Sequence, residues 1–448
     1  MRRPRPSDKS PRAATRRDPR AAPAPQARGD GPSPARRAAI DLLGQVLGEG
    51  RLLSEALAGP RVAALAPEDR AAAQRLATSV LRELPRADAV LAPFLRKAPP
   101  LRVRNALRLA TLEIARGGAA HGVVNDAVAI VAASKKTEGF RGLANAVLRQ
   151  VAEAAPDLDA LPVPKLPGWL RAPLVAAWGR ADVAAMERAH LAGAPLDLSV
   201  KDDAAGWAAR LGGTVLPGGS VRLATQGQVS ALEGYDEGAW WVQDAAAAWP
   251  VRMLGDVGGL DVLDLCAAPG GKTLQLAAGG ARVTALDASA GRMARLEENL
   301  ARTGLAAEIV VADALTYEGG PFDAVLLDAP CSATGTIRRH PDLPHARQGE
   351  GISELIALQA QMIDAALARV APGGRLVFCT CSLIPDEGEV QVEEALARHP
   401  GLVVEDVLPE GADPAWRNAT GGLRLRPDRW AAAGGMDGFY MACLRVPG

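Results

Sequence analysis

The stretch VLLDAPCS (residues 325–332) decides how this chain folds, together with the distant stretch CTCS (residues 379–382). Apolar residues lead into both stretches, which is typical of buried parallel β-strands. Asp328 and Cys331 follow the first strand, and Cys381 follows the second. Because the carboxyl ends of parallel strands border one crevice in an open α/β sheet, we expect these three side chains to meet over one substrate.

Length and composition favour a multidomain protein of the cytoplasm. The chain has 448 residues, a formal net charge of zero and no apolar run of about 18 residues, so no membrane span is predicted. Its basic beginning lacks the apolar segment of a secretory signal. An odd number of cysteines, clustered in the second half, indicates reduced thiols rather than disulfides. These cysteines are Cys266, Cys331, Cys379, Cys381 and Cys443.

The first part of the chain divides into a tail and a helical domain. The first 37 residues contain eleven Arg or Lys and three Asp, and residues 1–32 are predicted to be a disordered tail, either solvated or steering RNA. A helix is predicted to begin at Ser33, with Pro34 in its first position. Apolar residues then recur at helical spacing, so residues 33–155 should form an all-α bundle.

The remaining chain is predicted to contain two further units. Residues 156–240 begin as a Pro-rich linker and continue as a small α+β subdomain, with one helical piece over 174–191 and strands near 196–200 and 221–224. Residues 241–448 alternate strands and helices, the pattern of an α/β doubly wound sheet. The predicted strands of this unit are 262–265, 283–286, 309–311, 324–327, 375–378 and 439–445, and its predicted helices are 273–278, 290–303 and 354–370.

The strand at 262–265 leads into the glycine-rich turn DLCAAPGGKT (residues 264–273). A phosphate-binding Walker loop would need glycine at Cys266, and the dinucleotide fingerprint would need early glycines at Ala267 and Ala268, so both readings fail. A general nucleoside-binding layout remains, because an acid follows each of three later strands, at Asp287, Asp313 and Asp328. Acidic loops suit S-adenosylmethionine better than a phosphate-bearing nucleotide, so this cofactor is predicted.

Five motifs in this order resemble those of the RNA 5-methylcytosine methyltransferases of the NOL/NOP2/Sun family. They are DLCAAPGGKT, LDAS (286–289), VADA (311–314), LLDAPCSATGTIRRHPD (326–342) and VFCTCSLIPDEGE (377–389). VQDAAA (242–247) matches a motif at the start of the methyltransferase domain. The stretch 121–151 resembles a NusB-like, RNA-associated bundle, in the form that is fused to bacterial ribosomal-RNA methyltransferases. The fold that the resemblance implies is therefore a NusB-like helical bundle, a small α+β subdomain and a Rossmann-like class I methyltransferase domain.

The resemblance implies methylation of carbon 5 of a cytidine in small-subunit ribosomal RNA. Cys381 would be the nucleophile, Cys331 would assist release, and Asp328 would activate the base. Adding a thiolate to carbon 6 makes carbon 5 nucleophilic enough to attack a sulfonium methyl group. The residues implied to bind the cofactor are Cys266, Ala267, Ala268, Pro269, Gly270, Gly271, Lys272, Asp287, Asp313 and Asp328.

Several expectations and alternatives accompany this reading. Arg338, Arg339 and His340 follow the catalytic segment and are expected to meet RNA. Ala333 replaces a glycine that is usual in the family, and Lys201 stands where the family tends to carry Asn.

No metal and no membrane partner is expected, since no second pair of spaced ligands accompanies the cysteines, and the protein is expected to be a monomer. A transfer-RNA cytosine-5 methyltransferase and a non-catalytic RNA-binding assembly factor remain as alternatives.

Overall fold

The computed structural model describes residues 32–224, 228–346 and 348–448. The predicted basic tail, apart from its last residue, lies outside the described residues. Among the described residues, no helix combines the length and the apolar composition needed to cross a membrane.

The first unit of the chain is a helical bundle built around one central helix. The Ser33 side chain accepts a hydrogen bond from the backbone N–H of Arg36, and Pro34 is the first helical residue, as predicted. The central helix α6 packs against α1, α5, α7 and α8, and the core between them is apolar. The helices of this bundle are α1 (Pro34–Glu49), α2 (Leu53–Leu57), α3 (Pro60–Ala63), α4 (Pro67–Arg82), α5 (Leu84–Leu91), α6 (Leu101–Ala115), α7 (Ala120–Ala132) and α8 (Arg141–Ala154).

The middle of the chain forms a small α+β unit. The prediction of one helical piece over 174–191 is wrong, because Gly179 adopts a φ of 83° and separates two helices. Its strands form an antiparallel sheet in the order β2-β3-β1-β4. The elements are α9 (Gly168–Trp178), α10 (Arg180–Ala192), β1 (Leu196–Val200), α11 (Ala204–Leu211), β2 (Thr214–Val215), β3 (Val221–Leu223) and β4 (Trp240–Val242).

The last unit is a Rossmann-like α/β sheet, which confirms the predicted fold class. Within the described residues its strand order is β10-β12-β9-β8-β5-β6-β7, with β11 paired to β12. Strands β5 to β9 run parallel, and β12 is antiparallel to β9. The elements are α12 (Trp249–Arg252), β5 (Asp261–Leu265), α13 (Gly271–Ala278), β6 (Arg282–Asp287), α14 (Ala290–Thr303), β7 (Glu308–Val311), β8 (Phe322–Asp328), α15 (Ile352–Leu367), β9 (Val370–Thr380), α16 (Glu389–Arg398), β10 (Val403–Glu405), β11 (Leu423–Leu425) and β12 (Phe439–Arg445).

The pairing register of the central strands brings the predicted site together. Leu327 of β8 lies beside Leu265 of β5 and Phe378 of β9, and Asp328 lies beside Cys379. The prediction that α15 continues to Val370 is wrong, because Val370 pairs with Phe322 across a register shift and already belongs to β9. The carboxyl ends of β5, β8 and β9 therefore lie side by side at one edge of the sheet.

Candidate active site

Two thiols meet at the carboxyl ends of β8 and β9. The Sγ atoms of Cys331 and Cys381 are 3.5 Å apart, within hydrogen-bonding distance for sulfur. Their loops are held by backbone bonds: the N–H of Ala329 donates to Cys379 O at 3.0 Å, and the N–H of Gly335 donates to Cys381 O at 2.9 Å. The predicted meeting of Cys331 and Cys381 is therefore present in the structure.

A buried carboxylate, Glu387, ties the two thiol-bearing loops together. It accepts hydrogen bonds from the N–H of Ser332 at 2.8 Å, from the Ser332 hydroxyl at 2.5 Å and from the Ser382 hydroxyl at 2.6 Å. Gln359 of α15 donates to the same carboxylate at 3.2 Å. Because Ser332 follows Cys331 and Ser382 follows Cys381, one carboxylate fixes the positions of both thiols relative to each other. Sequence reasoning missed Glu387, since its spacing does not reveal which hydroxyls it reaches.

Asp328 is held by a buried lysine from the glycine-rich turn. The Lys272 ammonium donates to Asp328 Oδ2 at 2.6 Å and lies 5.1 Å from the centre of the Phe439 ring. Burial is the largest single influence and lowers the pKa of Lys272, but the charge of Asp328, the hydrogen bond to it and other nearby negative charges together outweigh burial, so that the net pKa is raised and the ammonium form persists. On its other side, Asp328 Oδ1 lies 3.6 Å from Cys379 Sγ. Lys272 and Asp328 therefore form an oriented ion pair beside the thiols.

The pKa values of two of the thiols are raised by their surroundings. For Cys331, the hydrogen bond with Cys381 is the largest cause, followed by burial and by the negative charges of Cys381 and Glu387. For Cys379, burial is the largest cause and the charge of Asp328 adds to it. Cys331 and Cys379 thus keep their protons at neutral pH.

One cavity of about 320 Å³ connects the thiols with the acids at the ends of β6 and β7. Asp287 is buried; its Oδ1 accepts from Ser289 N at 2.8 Å and from Arg292 at 2.7 Å, whereas its Oδ2 has no hydrogen-bond partner among the described residues. A buried carboxylate oxygen without a donor is costly, so this atom is suited to a ligand hydroxyl. Of the predicted residues, those that line the cavity are Cys266, Ala268, Asp287, Asp313, Asp328, Cys331 and Cys381.

The other predicted cofactor residues shape the turn without lining this cavity. They are Ala267, Pro269, Gly270, Gly271 and Lys272. Gly270 has a φ of 108°, and a Cβ there would lie 2.2 Å from Leu296 Cδ1, so only glycine fits. Cys266 adopts a φ of 60°, which is rare for a residue with a side chain and bends the chain sharply at the end of β5. Burial, with the charges of Asp328 and Asp287, raises the pKa of Cys266 to about 12.

An apolar wall of the cavity was not predicted from the sequence. It consists of Leu315 and of Leu358 and Met362, which lie one turn apart on α15. Their helical spacing was a usable signal, but the same spacing is expected of ordinary core residues. An apolar wall facing acidic strand ends is the usual composition of a nucleoside pocket.

A second buried acid, Asp264, lies within β5 behind the turn. Its Oδ2 accepts from the Thr273 hydroxyl at 2.6 Å, and Oδ1 has no partner within the described ranges. Burial raises the pKa of Asp264 to about 7, against the opposing hydrogen bond from Thr273. The sequence alone does not reveal that this acid is buried.

The expectation that Arg338 meets RNA is wrong. The side chain is fully buried, and it donates to Asp437 at 2.8 Å, to Asp244 at 2.5 Å and to Gly434 O at 2.9 Å. Asp244 belongs to the VQDAAA motif, so Arg338 joins that motif to the loop before β12. Arg339 is paired with Asp437, yet about a third of its side chain (34%) remains exposed.

No group of three or more His, Cys, Asp or Glu side chains in the described part of the chain is arranged to hold a metal ion. The chemistry available at the site is that of two thiols, one carboxylate–ammonium pair and a nucleoside pocket.

A mostly parallel sheet with a glycine-rich turn after β5, acids at successive strand ends and a cavity of about 320 Å³ beside them is the arrangement of the class I methyltransferases. Comparison with known families agrees. Residues 253–445 match the family described as 16S rRNA methyltransferase RsmB/F, and residues 33–153 match the NusB family. The chain belongs to the RsmB/F family of methyltransferases.

Curated relatives are similar over most of their length. Ribosomal RNA small subunit methyltransferase B of Sodalis glossinidius is 36% identical, over 81% of this chain and 89% of the relative. The protein of the same name from Vibrio vulnificus is 34% identical, over 91% of this chain and 98% of the relative. Among solved structures, the crystal structure of PH0851 matches with a TM-score of 0.70 and 24% identity, covering 92% of this chain and 98% of that chain. This last likeness shows the fold.

Proposed function

We propose that this protein methylates carbon 5 of a cytidine in 16S ribosomal RNA, through a covalent bond between Cys381 and carbon 6 of the base. The observation that carries the proposal is the 3.5 Å contact of Cys331 and Cys381 in the same cavity as Asp287 and Asp313. Chemistry on an unactivated pyrimidine carbon requires a nucleophile and a proton acceptor next to the methyl donor. The names of the curated relatives support ribosomal RNA as the substrate.

In this proposal the pocket at the ends of β6 and β7 holds S-adenosylmethionine. The free Oδ2 of Asp287 would accept a hydrogen bond from a ribose hydroxyl, and Leu358 and Met362 would contact the adenine ring. When bound, S-adenosylmethionine supplies an electrophilic methyl group on a positively charged sulfur. The acidic and apolar lining suits a nucleoside that carries no phosphate and has a positively charged sulfur.

The protein groups then act on the base in turn. Cys381 adds to carbon 6 as the thiolate, and a proton that Asp328 passes on from its partner Lys272 neutralises the negative charge that develops at the ring nitrogen and returns after methyl transfer. After carbon 5 has taken the methyl group, the carbon 5 proton passes to the sulfur of Cys331, the electrons of that C–H bond restore the ring double bond, and the bond to Cys381 breaks. Cys331 assists this release because its Sγ lies 3.5 Å from Cys381 Sγ, so that it gives its own thiol proton to the departing sulfur as it takes the proton from carbon 5.

The test is a methyl-transfer assay with labelled S-adenosylmethionine and in vitro transcribed 16S ribosomal RNA, followed by digestion to nucleosides. We expect the label in 5-methylcytidine, and we expect Asp287→Ala to raise the KM for S-adenosylmethionine more than it changes the KM for RNA. Label in any other nucleoside would contradict the proposal. Activity on transfer RNA in place of 16S ribosomal RNA would keep the chemistry and replace the substrate, and RNA binding without transfer to either would favour an assembly factor.

A further inference from the structure

The motif VFCTCSLIPDEGE ends in Glu389, a buried acid that does not line the cavity of the thiols. Glu389 is the first residue of α16, and its carboxylate accepts two hydrogen bonds from Arg424 of β11, at 2.9 Å from Nε and 2.5 Å from Nη2. Only 6% of the Arg424 side chain and 15% of the Glu389 side chain are exposed. A two-pronged pair of this kind fixes the plane of the guanidinium, so the direction of its remaining nitrogen is fixed as well.

That remaining nitrogen of Arg424 binds the segment that carries the proposed nucleophile. Nη1 donates to the carbonyl oxygen of Ser382, the residue directly after Cys381. Nη2 lies against the backbone of Gly388, where an added Cβ would be only 2.5 Å away from it. Gly388 directly follows Glu387, the carboxylate that binds the serine hydroxyls beside both thiols. One arginine therefore contacts the chain next to the proposed nucleophile and next to the acid that links the two thiol loops.

Two aromatic rings lie over the same guanidinium. Cζ of Arg424 is 5.0 Å from the centre of the Tyr440 ring and 5.4 Å from the centre of the Trp178 ring, distances at which a cation is attracted to an aromatic face. Trp178 is the last residue of α9, in the α+β unit, and its indole N–H donates to the carbonyl oxygen of Leu383 at 3.0 Å. The two consecutive carbonyl oxygens after Cys381 are therefore bound by Arg424 and Trp178.

The helices α9 and α10 also pack against this segment with apolar side chains. Leu383 and Ile384 are buried in one cluster with Leu170 of α9 and Met186 of α10. Groups that are carried by helices and strands hold a loop more precisely than groups on other loops do. The segment after Cys381 is therefore held by the α+β unit as well as by the catalytic sheet.

We propose that Arg424 and Trp178 are positioning residues for Cys381. By binding the two carbonyl oxygens that follow Cys381, they fix the local backbone and keep its thiol beside Cys331. This inference rests on the proposed function, in which Cys381 bonds to the base. A displacement of a reacting atom by about 1 Å can lower the rate by about 100-fold, so kcat is the quantity that responds. The α+β unit thereby takes part, through Trp178, in the geometry of the thiols.

The experiment compares Arg424→Gln with Arg426→Gln in the full-length protein. Arg426 is the matched control, because it is also buried and pairs with two carboxylates, Asp182 at 2.5 Å and Asp428 at 3.0 Å. Among the described residues, none of its hydrogen bonds reaches the segment 379–389. Trp178→Phe is the second test variant, since it keeps an aromatic ring and removes the N–H donor. The measurements are kcat and KM for methylation, the midpoint of thermal unfolding, and the pH profile of alkylation at Cys331, followed by mass spectrometry of its peptide.

We expect Arg424→Gln to lower kcat by on the order of tenfold and to change the KM for RNA and for S-adenosylmethionine by less than about twofold. Arg426→Gln should lower the unfolding midpoint by a similar amount, because it also breaks buried ion pairs, but should change kcat by less than about twofold. Trp178→Phe should lower kcat by roughly threefold, the effect of one lost hydrogen bond. In Arg424→Gln the alkylation profile of Cys331 should move to lower pH, because the hydrogen bond with Cys381 is the largest cause of its raised pKa.

Equal losses of kcat in Arg424→Gln and Arg426→Gln would overturn the proposal, as would a loss confined to KM. If Arg424→Gln does not fold, Trp178→Phe decides, and an unchanged kcat with an unchanged alkylation profile of Cys331 would overturn the proposal. If the wild type transfers no methyl group to RNA, the proposed function fails. The alkylation profile needs no substrate, so it still decides whether Arg424 positions the thiols.

Discussion

The core of the helical bundle and the carboxyl edge of the catalytic sheet differ in what they bury. Around α6 most buried side chains are apolar, among them Leu43, Leu107 and Val151, and the polar ones that α6 buries are Asn105, Arg108 and Thr111, none of which changes charge near neutral pH. At the edge of the sheet the buried set includes Asp264, Lys272 and Glu387. Burial of apolar surface stabilises the fold, whereas burial of charge costs stability unless it is fully paired. The bundle core is therefore expected to raise the free energy of unfolding. The buried charged groups at the sheet edge are expected to lower it.

The sharpest contrast should come from pH. Because the pKa of Asp264 is raised to about 7, its contribution to stability is complete below its unfolded pKa near 4 and is lost as pH rises through 7. The wild type should lose up to about 4 kcal/mol of unfolding free energy between pH 4 and pH 8, and Asp264→Asn should lack this loss.

Urea unfolding followed across that pH range measures this difference. Asp261→Asn is the matched control in the same strand, since Asp261 is exposed and the pKa of its carboxyl is lowered, first by the hydrogen bond from Arg282. If the free energy of unfolding fell equally with pH in the wild type and in Asp264→Asn, Asp264 would not cause the pH dependence, and the contrast between the bundle and the sheet edge would be contradicted.

In the bundle the corresponding change is Leu107→Ala. Leu107 is fully buried, so the substitution should cost about 3 kcal/mol of unfolding free energy through lost burial and the cavity left behind. The cost should be nearly independent of pH from 5 to 8, because the surrounding cluster is apolar. Urea unfolding monitored at several pH values measures this cost, and a strongly pH-dependent cost would show that a titrating group lies in the core around Leu107.

The substitution Glu387→Gln tests whether the buried carboxylate at the sheet edge positions the two thiols. Glu387→Gln keeps the size of the side chain but offers an amide N–H where Ser332 and Ser382 already donate. A displacement of the two loops should lower kcat by up to about 100-fold. The loss of negative charge should also lower the pKa of Cys331, which a pH profile of thiol alkylation detects. Unchanged kcat with an unchanged alkylation profile would assign Glu387 no positioning role; Glu393→Gln on α16 is the control.

The smallest expected effect concerns Ala333. This residue adopts a φ of 55°, the left-handed region in which a Cβ is strained. That conformation explains why a glycine is usual at this position, and Ala333→Gly should stabilise the protein by about 0.5–1 kcal/mol. Thermal unfolding measures the gain, and a loss of stability would mean that the Cβ contributes packing that outweighs the strain.

Local sequence predicted those features that depend on position along a strand. The end of β12 was located to the residue, and the acids Asp287, Asp313 and Asp328 were placed at strand ends because apolar runs reveal where parallel strands stop. The contact of Cys331 and Cys381 followed from the same rule. Predicting these features requires only the position of the apolar runs along the chain and the parallel direction of the strands.

Features that depend on contacts across the fold were not predictable in this way. Arg338 looks like a surface arginine in a loop, yet two buried aspartates far away in sequence enclose it. The link of Glu387 to both thiol loops depends equally on which elements pack together. Charge and spacing do not encode such packing, so the sequence predicted which residues lie at the strand ends better than it predicted the residues that hold them in place.

The central claim is that Cys381, and not Cys331, bonds to the base. The direct measurement incubates the wild type, Cys331→Ala and Cys381→Ala with 16S ribosomal RNA and S-adenosylmethionine, then maps any RNA-linked peptide by mass spectrometry. The account predicts that Cys331→Ala accumulates an adduct on the peptide that contains Cys381, and that Cys381→Ala forms neither adduct nor methylated RNA. An adduct on Cys331, or methyl transfer by Cys381→Ala, would contradict it.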